Sequence, residues 1–327
     1  MTKCCGCGVE LQDKDIKKVG YVDNLNKKFC MRCFKLTNYG CYQKVELGNE
    51  EFIKIIDNIP NNSLVVYMAD LLSLNLSNLK KFKRVLLVIT KKDILPKSVK
   101  DSKIIDYIKK RNINVIDVIV VSSTKNYNID ILYNKMLDLS NKNEIYLVGN
   151  TNTGKSTLLN KLIKNYSSDN IINNITVSMY PSTTLDKVAV KVGKLSIIDT
   201  PGLIDPTNIV NYVSLKDLKK INIKNEIKPK SCQIKGKGSF VIDKFARIDY
   251  DTIDNNSMII YASNSLNTRF NNKDNNNLTN LPQFNFKLEK NQDIVIPGLC
   301  FIKFIKPIEV KVYTLDGVIP IKRDSLI

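Results

Sequence analysis

Residues 144–162, EIYLVGNTNTGKSTLLNKL, leave this chain less structural freedom than any other stretch. Gly149 and Gly154 are followed at once by Lys155 and Ser156, the spacing of a phosphate-binding loop. The glycines permit a tight wrap whose N–H groups point inward at phosphate oxygens. Lys155 can then reach the β and γ oxygens, and the Ser156 hydroxyl is a ligand for Mg²⁺. An apolar strand, IYLV, precedes the loop and an amphipathic helix, KSTLLNKLI, follows it, which is the context such a loop needs. The phosphate-contacting set is therefore Gly149, Asn150, Asn152, Thr153, Gly154, Lys155, Ser156 and Thr157. A loop of this kind usually opens its domain, yet here nearly half of the chain comes before it.

Its companions lie on both sides. Downstream, KLSIIDTPGLID ends an apolar strand on Asp199, whose carboxylate can hold Mg²⁺ through water, and the Gly202 N–H can sense a γ-phosphate. Between the two lies MYPSTTLD, where Thr184 is the candidate second Mg²⁺ hydroxyl. Upstream, VLLVITKKDILP carries Thr90, Lys91 and Asp93 after another apolar strand. The Asp93 carboxylate suits the N1–H and 2-amino donors of guanine, a pair adenine does not present, and Lys91 can pack its stem over the base. A strand-to-loop turn in VIVVSSTKNYNI places Ser122 and Ser123 to give a backbone N–H to the guanine oxygen.

Base reader first, phosphate loop second, switch last: an ordinary GTPase instead runs from phosphate loop to base reader. Only adjacency in space matters to the site, so joining the old ends and cutting after the switch preserves it. The expected joint is a helix over residues 128–143, with apolar spacing at Ile129, Leu132, Met136 and Leu139. The sequence therefore predicts an α/β, circularly permuted P-loop GTPase domain over residues 45–212. Its switch would leave through residues 203–213 straight into the next domain, so nucleotide state should bias how that domain is held.

Composition narrows the chemistry. Among 327 residues there is no histidine, which excludes Ser-His-Asp and Cys-His nucleophilic sites and any histidine-ligated metal. No apolar run approaches the roughly 18 residues of a membrane span, and the opening MTKCCGCGVE lacks the apolar stretch of a signal peptide, so the expectation is a cytoplasmic protein with no membrane partner. The net charge of +18 fits a polyanionic partner such as RNA. It fits equally a drift toward Lys, Asn and Ile, since only six of the 50 basic residues are Arg.

Four of the eight cysteines form two close pairs, Cys4-x-x-Cys7 and Cys30-x-x-Cys33, with 22 residues between them. Each such turn aims two sulfurs at one point, the arrangement of a tetrahedral thiolate site for structural Zn²⁺ over residues 1–44. A disulfide framework is the competing reading, disfavoured in a chain without export signals. The last third, 213–327, consists of short apolar runs broken by turns and predicts a β-rich domain. There Lys303, Lys306, Lys311, Lys322 and Arg323 stand near Phe301, Phe304 and Tyr313. They form either a single-strand-binding face or a core with a solvated edge.

With these residues in hand, the chain resembles the bacterial circularly permuted ribosome-assembly GTPases of the YqeH type. The resemblance rests on the cysteine pairs followed by RCFKLTNY, on TKKD, GNTNTGKST, PSTTLD and DTPG, and on FARIDY, IPGLCFI and RDSLI further on. It implies GTP hydrolysis to GDP coupled to maturation of the small (30S) ribosomal subunit, with 16S rRNA or a ribosomal protein as partner. A treble-clef-like zinc knuckle and an RNA-binding β fold are implied with it. It also implies that Lys155, Asp199, Gly202 and Thr184 carry catalysis, that Asn152 ligates an activating K⁺, and that Leu203 replaces the water-orienting Gln of many GTPases. Departures from the family pattern are Thr90 for Asn, Ser182 for Gly, and Ser73 and Leu76 for Asp and Gly. The rival reading is a non-catalytic RNA-binding scaffold that GTP merely orders.

Overall fold

A computed structural model describes residues 4, 10–15, 20–31, 49–141, 144–167, 188–200, 202–271 and 278–327. Cys7, Cys33, Thr184 and Ser182 lie outside the described residues. The chain divides into two compact units: Met1–Lys92 with Ile108–Ile204, and Asp93–Tyr107 with Asp205–Ile327. Among the described residues no helix is long and apolar enough to cross a membrane.

The first unit is built on one sheet. In chain order its elements are α1 (Asn49–Asp57), β1 (Leu64–Asp70), β2 (Val85–Thr90), α2 (Asp101–Lys109, shared with the other unit), β3 (Asp117–Val120), α3 (Ile129–Ser140), β4 (Ile145–Gly149), α4 (Lys155–Tyr166), β5 (Val188–Val192) and β6 (Leu195–Asp199). The strands lie in the order β3-β2-β1-β4-β6-β5, parallel throughout except for the antiparallel edge strand β5. LVVYMAD and VLLVIT are buried from end to end, as strands covered on both faces must be. On one face Leu64, Val66, Leu86, Val88, Ile145 and Leu147 pack with Leu132 and Met136 of α3 and with Leu158 and Leu162 of α4. The apolar spacing expected across 128–143 thus appears as α3, which begins after Asn128 and stops at Asn141, both in the left-handed conformation that short amides tolerate.

The second unit is an antiparallel sheet: β7 (Lys230–Ile242), β8 (Ala246–Ala262), β9 (Thr268–Asn271), β10 (Gln283–Leu288), β11 (Gln292–Ile296), β12 (Cys300–Phe304), β13 (Ile308–Thr314) and β14 (Ile321–Asp324), preceded by a short helix α5 (Leu215–Ile221). β8 is the axis: it pairs with β7 along one side and with β13 and then β12 along the other. The core holds Phe240, Phe245, Ile248, Ile260, Ile302 and Phe304, and Ile209, six positions after Leu203, is buried in it. Ile209 donates its N–H to Pro297 O (3.0 Å), and Asn208 caps the turn by accepting from Val210 N.

The two readings left open for the last third separate here. Phe301 and Phe304 are fully buried, and Arg323 is buried over the Phe301 ring, so none of the three can stack a base. Lys306, Lys311 and Lys322 remain exposed.

Candidate functional site

In a parallel sheet all carboxyl ends share one edge, so the loops leaving β1, β2, β3, β4 and β6 emerge together. Those loops carry Asp70, Thr90 and Lys91, Ser122 and Ser123, the 149–154 loop, and Asp199 to Leu203. Topology thus brings together what the sequence spreads over 130 residues.

The phosphate loop closes on itself. A Cβ on Gly149 would sit 2.5 Å from the Met68 carbonyl oxygen, so the exit from β4 admits no side chain. Asn152 stands exposed at the turn with φ of 63°, and Gly154, at φ 93°, starts α4. The Thr153 hydroxyl donates to Asn150 O (2.8 Å), bracing the turn from within. Lys155, almost fully buried, donates from Nζ to Gly149 O (2.6 Å) and Asn150 O (3.2 Å), which holds the ammonium along the inside of the loop. Ser156 is half-buried in the first turn of α4, and Thr157 is exposed beside it.

Two other loops are tied to this one. Thr90 donates from Oγ1 to Thr153 O at 2.7 Å, a link from the end of β2 to the phosphate loop. From β6, Thr200 binds Leu147 O through both N (3.2 Å) and Oγ1 (2.8 Å), and Leu203 forms a parallel bridge with Asn150. In that bridge Thr151 N donates to Leu203 O (2.7 Å) and Leu203 N to Gly149 O (3.3 Å). Asp199 and Gly202 are buried along the same segment.

The loops after β2 and β3 are tied to each other through their backbones. Lys91 has φ of 63°, and Lys92 N donates to Val121 O (3.1 Å), tying the loop after β2 to the end of β3. Asp93 follows in a single 3-10 turn, Lys92–Ile94. Ser122 is committed: its N–H goes to Tyr127 O (3.1 Å), and its hydroxyl contacts Thr124 Oγ1 and accepts from Lys125 N. Asp70 caps the turn after β1, accepting from Leu72 N (3.0 Å) and Ser73 N (3.1 Å). Ser73 thus serves the loop through its backbone. The Thr90 to Thr153 link and the Asp70 cap escaped the sequence reading. Their only local signals were a hydroxyl and a carboxylate at strand ends.

Near the start of the chain, Cys4 and Cys30 are buried together with Leu11 and Val22, and Cys30 N donates to Cys4 Sγ (3.1 Å). One sulfur from each pair thus lies in the same small core, and an amide directed at sulfur is a donor suited to a thiolate.

Residues 144–262 match the family profile described as 50S ribosome-binding GTPase. That match begins at the phosphate-loop strand and does not include Asp93 or Ser122, which precede it. The uncharacterized protein YqeH of Bacillus subtilis is 35% identical over 279 residues, 80% of this chain and 76% of its own. This chain belongs to the YqeH family of P-loop GTPases. More distant relatives are NO-associated protein 1 of Arabidopsis thaliana, 26% identical over 61% of this chain and 43% of its own, and nitric oxide-associated protein 1 of Homo sapiens, 25% identical over 56% and 35%. Family membership accounts for the phosphate loop, and with it for Mg²⁺ as the ion that neutralises phosphate charge when nucleotide is bound.

Proposed function

We propose that the protein is a circularly permuted GTPase that hydrolyses GTP to GDP and phosphate and couples this to assembly of the small ribosomal subunit. The observation that carries the reading is the shared edge of the parallel sheet, where the loops holding Lys155, Thr90, Ser122 and Asp199 emerge side by side. Asp93, in the turn after β2, selects guanine. Because Ser122 N is committed to Tyr127 O, the N–H for the guanine oxygen comes from Ser123 rather than Ser122. On nucleotide binding Lys155 exchanges its two carbonyl acceptors for phosphate oxygens.

Ser156 and Thr184 are the hydroxyls, and Asp199 the carboxylate, for Mg²⁺. Asn152, exposed at the loop apex, is placed to offer its side-chain oxygen to K⁺, a charge that can substitute for an arginine finger. Leu203 has no group to orient water, and its backbone N–H and carbonyl are bonded to the phosphate loop. Water for in-line attack is therefore held by backbone groups such as the Gly202 N–H. Cys4, Cys7, Cys30 and Cys33 hold a structural Zn²⁺, and the exposed lysines of the β unit meet 16S rRNA or a ribosomal protein.

The test is GTP hydrolysis in K⁺ against Na⁺ buffer, alone and with purified small or large ribosomal subunits. Turnover stimulated by K⁺ and by small subunits, lost in Lys155→Ala and insensitive to K⁺ in Asn152→Ala, is the expected result. Stimulation by large subunits alone would reassign the partner. Nucleotide binding without turnover in any condition would favour the GTP-ordered scaffold instead.

A further inference from the structure

The turn that carries Asp93 is gripped from the far end of the sequence. Ile227 donates its N–H to Ile94 O at 2.8 Å, one residue beyond Asp93, and Glu226 Oε1 accepts from Lys97 N at 3.1 Å. This short strap is itself fixed by Asn264, whose amide straddles Ile227: Nδ2 donates to Glu226 O and Oδ1 accepts from Lys228 N, both at 2.9 Å. Ile227, Ile94 and Leu95 are all buried. All of these residues belong to the second unit, as does Asp93 itself.

A carboxylate that reads two guanine donors must be held to a few tenths of an ångström, since a displaced acceptor forfeits both bonds and stays desolvated. A 3-10 turn of three residues cannot supply that rigidity alone. We infer that Glu226, Ile227 and Asn264 form a clasp that positions Asp93, making the β unit a determinant of guanine affinity and selectivity. The clasp residues touch no nucleotide and act through the turn. This inference rests on the reading of Asp93 as the guanine contact.

Titration of the full-length protein with ribose-labelled fluorescent GDP and with its inosine counterpart, which lacks the 2-amino donor, reads the clasp directly. Glu226→Ala, which removes one hydrogen bond of the clasp, and Asn264→Ala, which removes two, should each weaken GDP about threefold, and the double variant, which removes all three, about tenfold. Inosine diphosphate should weaken less, so the selectivity ratio contracts. Glu226→Gln keeps an oxygen acceptor for Lys97 N and should restore the wild-type ratio. The fold-loss of GDP affinity on Mg²⁺ removal, which reports the phosphate end, should not move.

Folded variants that keep the wild-type GDP-to-inosine ratio would overturn the clasp. Asp93→Asn separates the two claims, because an amide there should turn preference toward xanthosine diphosphate. If that variant shows no change, the base reading falls and the clasp with it. If preference turns while the clasp variants keep their ratio, the clasp alone falls.

Discussion

Thr90 ends β2, and its single hydroxyl makes the link to the phosphate loop, donating to Thr153 O at 2.7 Å from a site 3% exposed. Replacing it by Val keeps the shape and removes the donor, leaving a buried carbonyl without that partner. We expect Thr90→Val to lose about 1–3 kcal/mol of stability and several-fold in GDP affinity, whereas Thr90→Ser should retain both. Urea unfolding and nucleotide titration measure the two effects; a Val variant with unchanged affinity would show that the link does not reach the site. A second residue to test is Asp293, which is fully buried near Arg323 and accepts from Leu326 N (3.2 Å). Burial pushes its carboxyl above the usual 3.8, outweighing the lowering by the Arg323 charge. The folded state thus holds this proton more tightly than the unfolded chain. Its stabilising contribution is full below the ordinary carboxylate range and is lost as pH rises through the raised folded value. Asp293→Asn cannot titrate there, so the stability of the wild type should fall relative to that of the variant as pH is raised from about 3.5 upward. A parallel pair of pH profiles would refute this.

At the scale of elements, residues 205–212 form a braced strut. Asp205 accepts from Thr207 through both N (3.0 Å) and Oγ1 (2.7 Å), Asn211 Nδ2 donates to Asp205 O (2.6 Å), and Tyr212 OH donates to Pro206 O (2.6 Å). The strut seats on Gly298, where a Cβ would meet Asn208 Oδ1 at 2.0 Å and where φ is +79°. Gly298→Ala therefore combines backbone strain with a clash that displaces the Asn208 cap, and about 2–4 kcal/mol should be lost. Gly236 supplies the control, since its φ of +66° carries the strain while nothing lies within 4 Å. Gly236→Ala should cost only about 1–2 kcal/mol, and adding Asn208→Ala to Gly298→Ala should recover part of the excess. Equal urea midpoints for the two alanine variants would show that the seat does not matter.

These elements also show what could be read in advance. The phosphate loop was legible because its residues are contiguous and its flanking strand and helix have opposite periodicities. Phe301 and Phe304 were ambiguous because CFIKF is buried on both faces, which erases the alternation that separates core from surface in a strand. The clasp was invisible: Glu226 and Lys97 lie 129 residues apart, and no composition signal announces a side-chain amide that straddles a peptide.

For the molecule as a whole, the decisive feature is that two of the three points at which the chain passes between its units lie at segments proposed to contact nucleotide. One passage follows Lys92, where Asp93 begins the clasped turn, and the other follows Ile204, directly after Leu203 in its bridge to Asn150. Ile209, six positions after Leu203 in that bridge, is buried in the β core. Six residues extend at most about 20 Å, and a braced strut extends less. Any shift of the Gly202 and Leu203 backbone toward a γ-phosphate must therefore be absorbed by the strut or passed to the β core, because slack of a flexible linker is absent from residues 205–212. We expect the amides of Ile209 and Tyr212, and independently that of Ile227 in the clasp, to exchange hydrogen at rates that differ between the GDP complex and a complex with a non-hydrolysable GTP analogue. The two passages make separable contributions. Gly298→Ala should diminish the nucleotide response at Ile209 while leaving that at Ile227, and Asn264→Ala should do the converse. If exchange beyond residue 205 is identical in both nucleotide states, the β unit does not sense the γ-phosphate. The permuted order would then preserve the site without transmitting its state.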